Sequence, residues 1–433
     1  MTRPMDRRSF LQSAAAVGAS LHLGTQSPRA HASANEKINV AFIGIGGRGA
    51  ANLGSLVRLG ENVVALCDVD DVRAGKAYER YPKARKFKDF RKMYDSMAKG
   101  IDAVVVSTPD HTHFHPSMAA LHLGKHLYCE KPMAHSVWEV RQMTELARKQ
   151  GVATQLGVQR HTIQNVHRVV ELIKAGAIGD VTEVHSWIGG TRGMPAVPTD
   201  KPDVPAHLDW DLWQGPVASR PYHKTYCPYG WRFWWDYGTG ETGNWGCHIL
   251  DIPFWALDLD HPNHVSASGP PIHALTTPRA MATHMRFPAR GDRGEVMLHW
   301  YHAANGPGIL KKHGLSAKGN NTLFVGTDGM LLCGFSKRTL LPESKFQGAR
   351  IDVKRLPDSP GFYNEWTAAI RGGRPATCHF DYSGPLTEAV LLGNVAYRAG
   401  GDGFDWNHKS MTVSGNPTAR GLIRPAFRAG WQV

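Results

Sequence analysis

The stretch INVAFIGIGGRGAANLG, residues 38–54, constrains this chain more than any other. Its apolar run from Ile38 to Ile43 has the composition of a strand covered on both faces. Glycines follow at positions 44, 46 and 49, and then a helix-compatible segment. Gly44 permits a sharp turn, Gly46 lets main chain approach a pyrophosphate, and Gly49 allows the helix to pack closely on the strand. The amides at the start of that helix favour phosphate charge. A second apolar run, NVVALCD, ends on Asp68, nineteen residues after Gly49. An acid at that distance accepts hydrogen bonds from a ribose 2′-hydroxyl and repels a 2′-phosphate. The pattern therefore predicts NAD rather than NADP.

The alternation continues. Residues 71–80 read as helix, IDAVVVS as a buried strand, and HPSMAALHLGK as a helix stopping near Gly124. HLYCE is a further strand, SVWEVRQMTELARKQG an amphipathic helix capped by Ser136, and VATQLG another strand. Such alternation predicts a parallel, doubly wound sheet, with ligands at the carboxyl ends of its strands. That edge gathers Gly44, Ile45, Gly46, Gly47, Arg48, Gly49, Asp68, Ser107, Thr108, Pro109, Glu130 and Lys131 as cofactor-binding candidates. Lys131 lies in YCEKPMA, residues 128–134, where no apolar surface accounts for it. Pro132 restricts the lysine backbone.

Past residue 160 the period changes. VTEVHSWIGG opens an extended segment, and an insertion rich in Pro, Trp and Tyr occupies 192–235. MATHMRF and GEVMLHWYHA alternate and are joined by PARGDRG as a hairpin; NTLFVGTDGMLLCG turns at Thr327-Asp328-Gly329. Helices are expected near 361–372 and 384–399. The fold class is α/β: a Rossmann doubly wound parallel sheet over residues 35–160, then an α+β domain over 161–433. The second domain has a large, mainly antiparallel open sheet, and its C-terminal helices pack back on the first.

The beginning of the chain is different. MDRRSFLQSAAAVGASLHLG pairs Arg7 and Arg8 before an alanine-rich run, and SPRAHASA offers small residues for cleavage. Residues 1–34 resemble a twin-arginine export signal. That implies the twin-arginine machinery as a partner and a periplasmic or extracellular location. No later run reaches the roughly 18 apolar residues of a membrane span. The net charge of +13 is scattered along the chain, so no nucleic-acid partner is read. Six cysteines without a CxxC fit neither a zinc site nor a disulfide framework. HTHFH, residues 111–115, reads as a loop entering a helix, and no metal site is assigned.

GIGGRG, STPDHTHFHPSMAALHLGKHLYCEKPMA and GNWGCHILDIP together resemble the Gfo/Idh/MocA family of glucose–fructose oxidoreductase, inositol dehydrogenase and MocA. WDLWQGP and WRFWWDYGTGETGNWGCH resemble its exported branch. The EKP triplet is the most specific of these motifs. The resemblance implies a Rossmann domain whose nicotinamide faces the sheet of a second domain, a sugar, polyol or derivative as substrate, and a homo-oligomer. It adds His113 to the cofactor set and gives Arg160 to the substrate. It implies that Lys131 contacts both the nicotinamide ribose and substrate hydroxyls. The family's D-x-G-x-H motif reads here Asn244-Trp245-Gly246-Cys247-His248, which implies His248 as general base. Asn244 departs from the usual acid: an amide orients a hydroxyl but takes up no proton.

On a helix, Asn244 and His248 are i,i+4 neighbours and His248 and Asp251 are i,i+3, so all three share a face. Asn244 and Asp251 are therefore substrate-binding candidates. Trp235, within WRFWWDY, offers an aromatic face for a sugar ring, with interdomain packing as its other use. The expected chemistry is hydride transfer between a sugar carbon and NAD, with His248 taking the hydroxyl proton and Lys131 stabilising the alkoxide or relaying that proton. Free NAD is scarce outside the cytoplasm, so an exported enzyme holds its cofactor tightly and regenerates it in place. A redox-neutral, NAD-retaining glycosidase working through a keto-sugar is the second reading. A non-catalytic carbohydrate-binding protein is the third.

Overall fold

Strand β1 (Asn39–Ile43) is buried along nearly its whole length, and β4 (Ala103–Val106) along all of it. Strands covered on both faces belong to a sheet with helices on either side. With β2 (Asn62–Cys67), β3 (Arg85–Phe87), β5 (His126–Cys129) and β6 (Thr154–Leu156) they form one parallel sheet in the order β3-β2-β1-β4-β5-β6. The chain changes direction between β1 and β4, and ligands bind at that reversal. The computed structural model describes residues 36–302 and 306–432; the export leader expected over 1–34 lies outside the described residues.

Local chemistry explains the helices around this sheet. Ser136 and Glu139 form a reciprocal capping box at the start of helix Val137–Gln150. Gly151, at φ 57°, ends that helix in the left-handed conformation. Asp70 caps the helix Asp71–Arg80 by accepting from the amides of Val72 and Arg73.

The second sheet has nine strands: β7 (Val181–Ile188), β8 (His264–Ser268), β9 (Met281–Phe287), β10 (Val296–His302), β11 (Thr322–Gly326), β12 (Met330–Cys333), β13 (Arg338–Leu341), β14 (Phe404–Asn407) and β15 (Thr412–Ser414). Their order is β13-β12-β11-β7-β10-β9-β8-β14-β15. Among the described residues of this sheet, only the central pair β7–β10 runs parallel. Burial alternates strictly along β9 and β10, which marks a sheet with one covered and one open face. The covered face packs on helices Gly240–Ala256 and Phe380–Arg398.

The helices after residue 361 lie against elements of the first domain. Arg141 donates to Glu388 through Nε at 2.8 Å and Nη2 at 2.7 Å. The Gln155 amide donates to the Phe362 carbonyl at 2.6 Å, and the Phe380 amide to Thr154 Oγ1 at 3.0 Å. The helix carrying Asn244 and His248 begins at Gly240, so the GNWG segment lies inside it and is not the turn leading into it. No described helix is long and apolar enough to cross a membrane.

Candidate active site

A cleft of about 630 Å³ runs along the carboxyl edge of the first sheet. Gly44, Gly46, Gly47, Arg48, Asp68, Ser107, Thr108, Pro109 and Glu130 line it, together with Lys131, Arg160, Asn244 and His248. These residues come from segments far apart in sequence, and the fold brings them to one cavity.

The glycine turn has the geometry a phosphate needs. Gly44 sits at φ 77°, and a Cβ there would lie 2.8 Å from the Ser107 carbonyl. Gly49 packs so closely on the Gly44 carbonyl that a side chain has no room. The helix Arg48–Arg58 starts at Gly47 with no side-chain cap; the Gly49 amide donates to the Gly46 carbonyl at 3.0 Å, and no side chain competes with a ligand for the other amides of the first turn. Asp68 accepts from the amides of Ile45 at 2.8 Å and Asp70 at 3.1 Å, which fixes its carboxylate at the end of β2. Burial raises its pKa against the pull of those two amides. Arg73 lines the same end, a cation sequence reading missed. Thr108 Oγ1 is buried in this wall without a hydrogen-bond partner. Together the uncapped amides, the fixed acid and the orphaned hydroxyl suit a dinucleotide.

Glu130 is held by four donors: Arg48 Nε at 3.1 Å, Asn52 Nδ2 at 3.0 Å, Tyr128 OH at 3.1 Å and Gln159 Nε2 at 2.9 Å. Gly157 leaves it space, for a Cβ there would lie 2.7 Å from the carboxyl. The Lys131–Pro132 peptide is cis. Lys131 Nζ donates to the Asn244 carbonyl at 2.7 Å and to Asn244 Oδ1 at 2.9 Å. Burial lowers the Lys131 pKa, opposed by the charges of Glu130 and Asp110.

His248 lies in the same cleft, and its Nδ1 is buried without a partner. Burial depresses its pKa well below the ordinary value, and the nearby charges of Lys131, Arg160 and Arg48 add to that. The imidazole is therefore neutral near pH 7. Asn244 Nδ2 donates to Glu241 Oε2 at 3.2 Å, and buried Glu241 pairs with Arg192. The acid missing at position 244 thus stands one helical turn earlier. Its spacing from Asn244 was the available signal.

Several candidates lie elsewhere. Asp251 does not line the cleft: it accepts from His161 Nδ1 at 2.9 Å and Tyr382 OH at 2.6 Å behind it. Helical spacing put it on a polar face, but two distant segments cover that part of the face. Trp235 is buried away from the cleft, with Nε1 donating to the His273 carbonyl at 3.2 Å. Of its aromatic segment, Trp231 lines the cavity. His113 stands behind the wall, its ring nitrogens 2.8 Å from the carbonyls of Pro132 and Thr108. Ile45 is buried and contributes its amide to Asp68, and Gly49 acts by packing.

The insertion folds over the cofactor end. Leu208, Trp210, Trp213, Tyr226, Trp231, Trp234 and Tyr237 form a small apolar core of their own. His111 bridges it to the first domain, with Nε2 2.9 Å from the Trp213 carbonyl and Nδ1 3.2 Å from that of Tyr237. Trp213, Trp231 and Arg232 contribute to the cleft wall.

Fold and site define a dinucleotide-binding protein whose second domain presents a helix to the cofactor edge. Comparison with known proteins gives the family. Residues 38–158 match the oxidoreductase family with an NAD-binding Rossmann fold, and residues 177–433 match its C-terminal alpha/beta domain. The chain belongs to the Gfo/Idh/MocA oxidoreductase family. It is 28% identical over 152 residues to an inositol 2-dehydrogenase of Salmonella typhimurium, 34% of this chain and 45% of that one. It is 29% identical over 223 residues to a glycosyl hydrolase family 109 protein of Stenotrophomonas maltophilia, 49% of this chain and 48% of the other. The shared regions span under half the length of these curated relatives. Among solved structures, the WlbA dehydrogenase from Bordetella pertussis, in complex with NADH and UDP-GlcNAcA, has a TM-score of 0.61 at 17% identity. That likeness covers 86% of this chain and 99% of WlbA, and shows the shared fold.

Proposed function

We propose that this protein is an NAD-dependent oxidoreductase acting on a CH–OH group of a sugar, polyol or sugar derivative. The observation that carries the reading is the convergence of Lys131, Asn244 and His248 on a cleft whose other wall is the glycine turn. The glycine amides and Asp68 would hold the dinucleotide, and Thr108 and Lys131 the nicotinamide end. When bound, NAD supplies the hydride acceptor.

The chain's own residues handle the proton. The neutral His248 imidazole takes the substrate hydroxyl proton as the neighbouring C–H bond breaks. Lys131, held by Asn244, presents an ammonium to the developing alkoxide. A cation beside His248 disfavours a second one, so the imidazole starts unprotonated. Arg160, set between the rings of Phe335 at 4.4 Å and Trp245 at 5.2 Å, orients the substrate. Asp68 supports NAD over NADP, although Arg73 beside it is a charge that a 2′-phosphate would welcome. The paired Arg7 and Arg8 support export with the cofactor in place, and the open face of the second sheet supports a homo-oligomer.

The test is purification from cells, denaturation to release nucleotide, and a sugar screen of the intact protein at the nicotinamide absorbance band. Bound NAD and a change in that band on adding a sugar are expected. Protein without nucleotide, binding sugar indifferently to added NAD, would refute the reading in favour of a carbohydrate-binding protein. One observation favours a second reading, the redox-neutral glycosidase: similarity to the family 109 hydrolase runs further along the chain than similarity to the inositol dehydrogenase. Glycoside cleavage with no net absorbance change would establish it instead.

A further inference from the structure

The open face of the second sheet carries a cluster that the cleft does not use. On β10, Trp300 and His302 point toward helix Gly240–Ala256, where Thr242 meets Trp300 Nε1 at 3.2 Å and His302 Nδ1 at 3.3 Å. Alternation along the strand therefore turns His299 and Tyr301 to the opposite face. Register places His299 beside His185 of β7 on one side and His284 of β9 on the other. Glu183, two residues before His185, joins the same face.

The two outer nitrogens of this row converge on one oxygen. Glu183 Oε1 lies 3.1 Å from His185 Nε2 and 2.9 Å from His299 Nε2. A tetrahedral ion bonded at ordinary Zn–N and Zn–O lengths keeps its ligand atoms about 3.4 Å apart. The remaining ring nitrogens are taken from outside: His299 Nδ1 lies 2.6 Å from His284 Nδ1, and His185 Nδ1 lies 3.2 Å from Tyr301 OH. Partners on the far nitrogen are what hold a metal-ligating imidazole in its tautomer.

A second observation points to a ligand. His185 is 6% exposed, and its buried Nε2 meets no hydrogen-bond criterion although the Glu183 oxygen lies 3.1 Å away. Leaving such a nitrogen unmatched beside a carboxylate is costly unless a cation sits between them. Among the described residues Glu183 forms no ion pair with lysine or arginine.

We propose that Glu183, His185 and His299 bind a divalent transition-metal ion of borderline softness, Zn²⁺ being the fitting case, with His284 and Tyr301 orienting the imidazoles. Two nitrogens and one carboxylate leave a coordination position for water. The ion clips β7 to β10, the one parallel pair at the centre of the nine-stranded sheet. It lies on the face away from the helix that bears His248, so its role is structural.

The test uses the tag-free full chain, stripped by chelator and dialysed against micromolar ZnCl₂. One Zn²⁺ per chain by atomic emission and a higher melting temperature than the stripped protein are expected. Glu183→Gln, His185→Gln and His299→Gln each weaken binding by about 100-fold or more, and His284→Gln by about tenfold. Unchanged nucleotide content reports that a variant has folded. Stripped wild-type protein that takes up no Zn²⁺, or variants that bind as it does, would overturn the proposal. If the variants do not fold, Co²⁺ titration of the wild type decides: visible bands of a four-coordinate site support it, and their absence overturns it.

Discussion

One wall of the cleft is made of main chain and the other of side chains. On the cofactor side, Gly44, Gly46 and the uncapped start of helix Arg48–Arg58 present amides, and close packing at Gly49 fixes where they point. On the substrate side, Lys131, Asn244, Glu241 and Arg192 form a hydrogen-bonded chain that ends beside His248. At Gly44 and Gly49 the first wall leaves no room for a Cβ, because main chain lies against both. The second is made of side chains borne by helix Gly240–Ala256 and the segments that meet it. This division is how one fold keeps its nucleotide and varies its substrate.

The largest effects belong to the side-chain wall. Lys131→Ala and His248→Ala should each lower turnover by about 100- to 10,000-fold while nucleotide stays bound. Nucleotide lost along with activity would break the comparison, for the two walls would then be one. The rate profile carries a related signature. Because burial and neighbouring cations depress His248, the acid limb should fall below the ordinary histidine value. A limb at that value would assign the base elsewhere. For the main-chain wall, Gly44→Ala forces a Cβ toward the Ser107 carbonyl at positive φ, a strain of about 1–3 kcal/mol. Calorimetry on stripped protein should show weaker nucleotide binding, with sugar affinity untouched.

A smaller effect tests how the insertion is pinned to the cofactor wall. His111 is buried neutral, its pKa lowered to about 3 from an ordinary 6.5 chiefly by burial. The unfolded chain takes up this proton below 6.5 and the native one does not. Stability from this group is thus complete above 6.5 and is lost as pH falls toward 3. At pH 4.5 the loss is about 2–3 kcal/mol. Melting curves of wild type and His111→Gln should therefore converge as the medium is acidified. Smallest is Arg160→Gln, which should raise KM about tenfold with kcat little changed. A change confined to kcat would move this arginine from orientation to chemistry.

The same division explains what could be read from the sequence. The parallel sheet and its glycine turn were legible because each step is local: an apolar run, a turn residue, a capped helix. Lys131 and His248 were found through motifs and do meet in one cleft. Asp251 and Trp235 were misplaced because helical spacing and composition say nothing of what covers a face; His161 and Tyr382 claim the first, and the second is buried in packing. Arg192 and Arg232 come from an insertion without periodicity, so only the fold could bring them to the cavity. The row of His185, His299 and His284 needs the register of three strands, which no single segment encodes.

The return of the last helices onto the first sheet has a mechanical consequence. Arg141 and Glu388 form a mostly buried pair, and Gln155 and Thr154 are tied to the segments around Phe362 and Phe380. Swinging the two halves apart like a jaw would have to break those ties together. The two halves are thus joined behind the cleft as well as along it, while the strap of 192–235 brings Arg192, Trp213, Trp231 and Arg232 to the cavity wall.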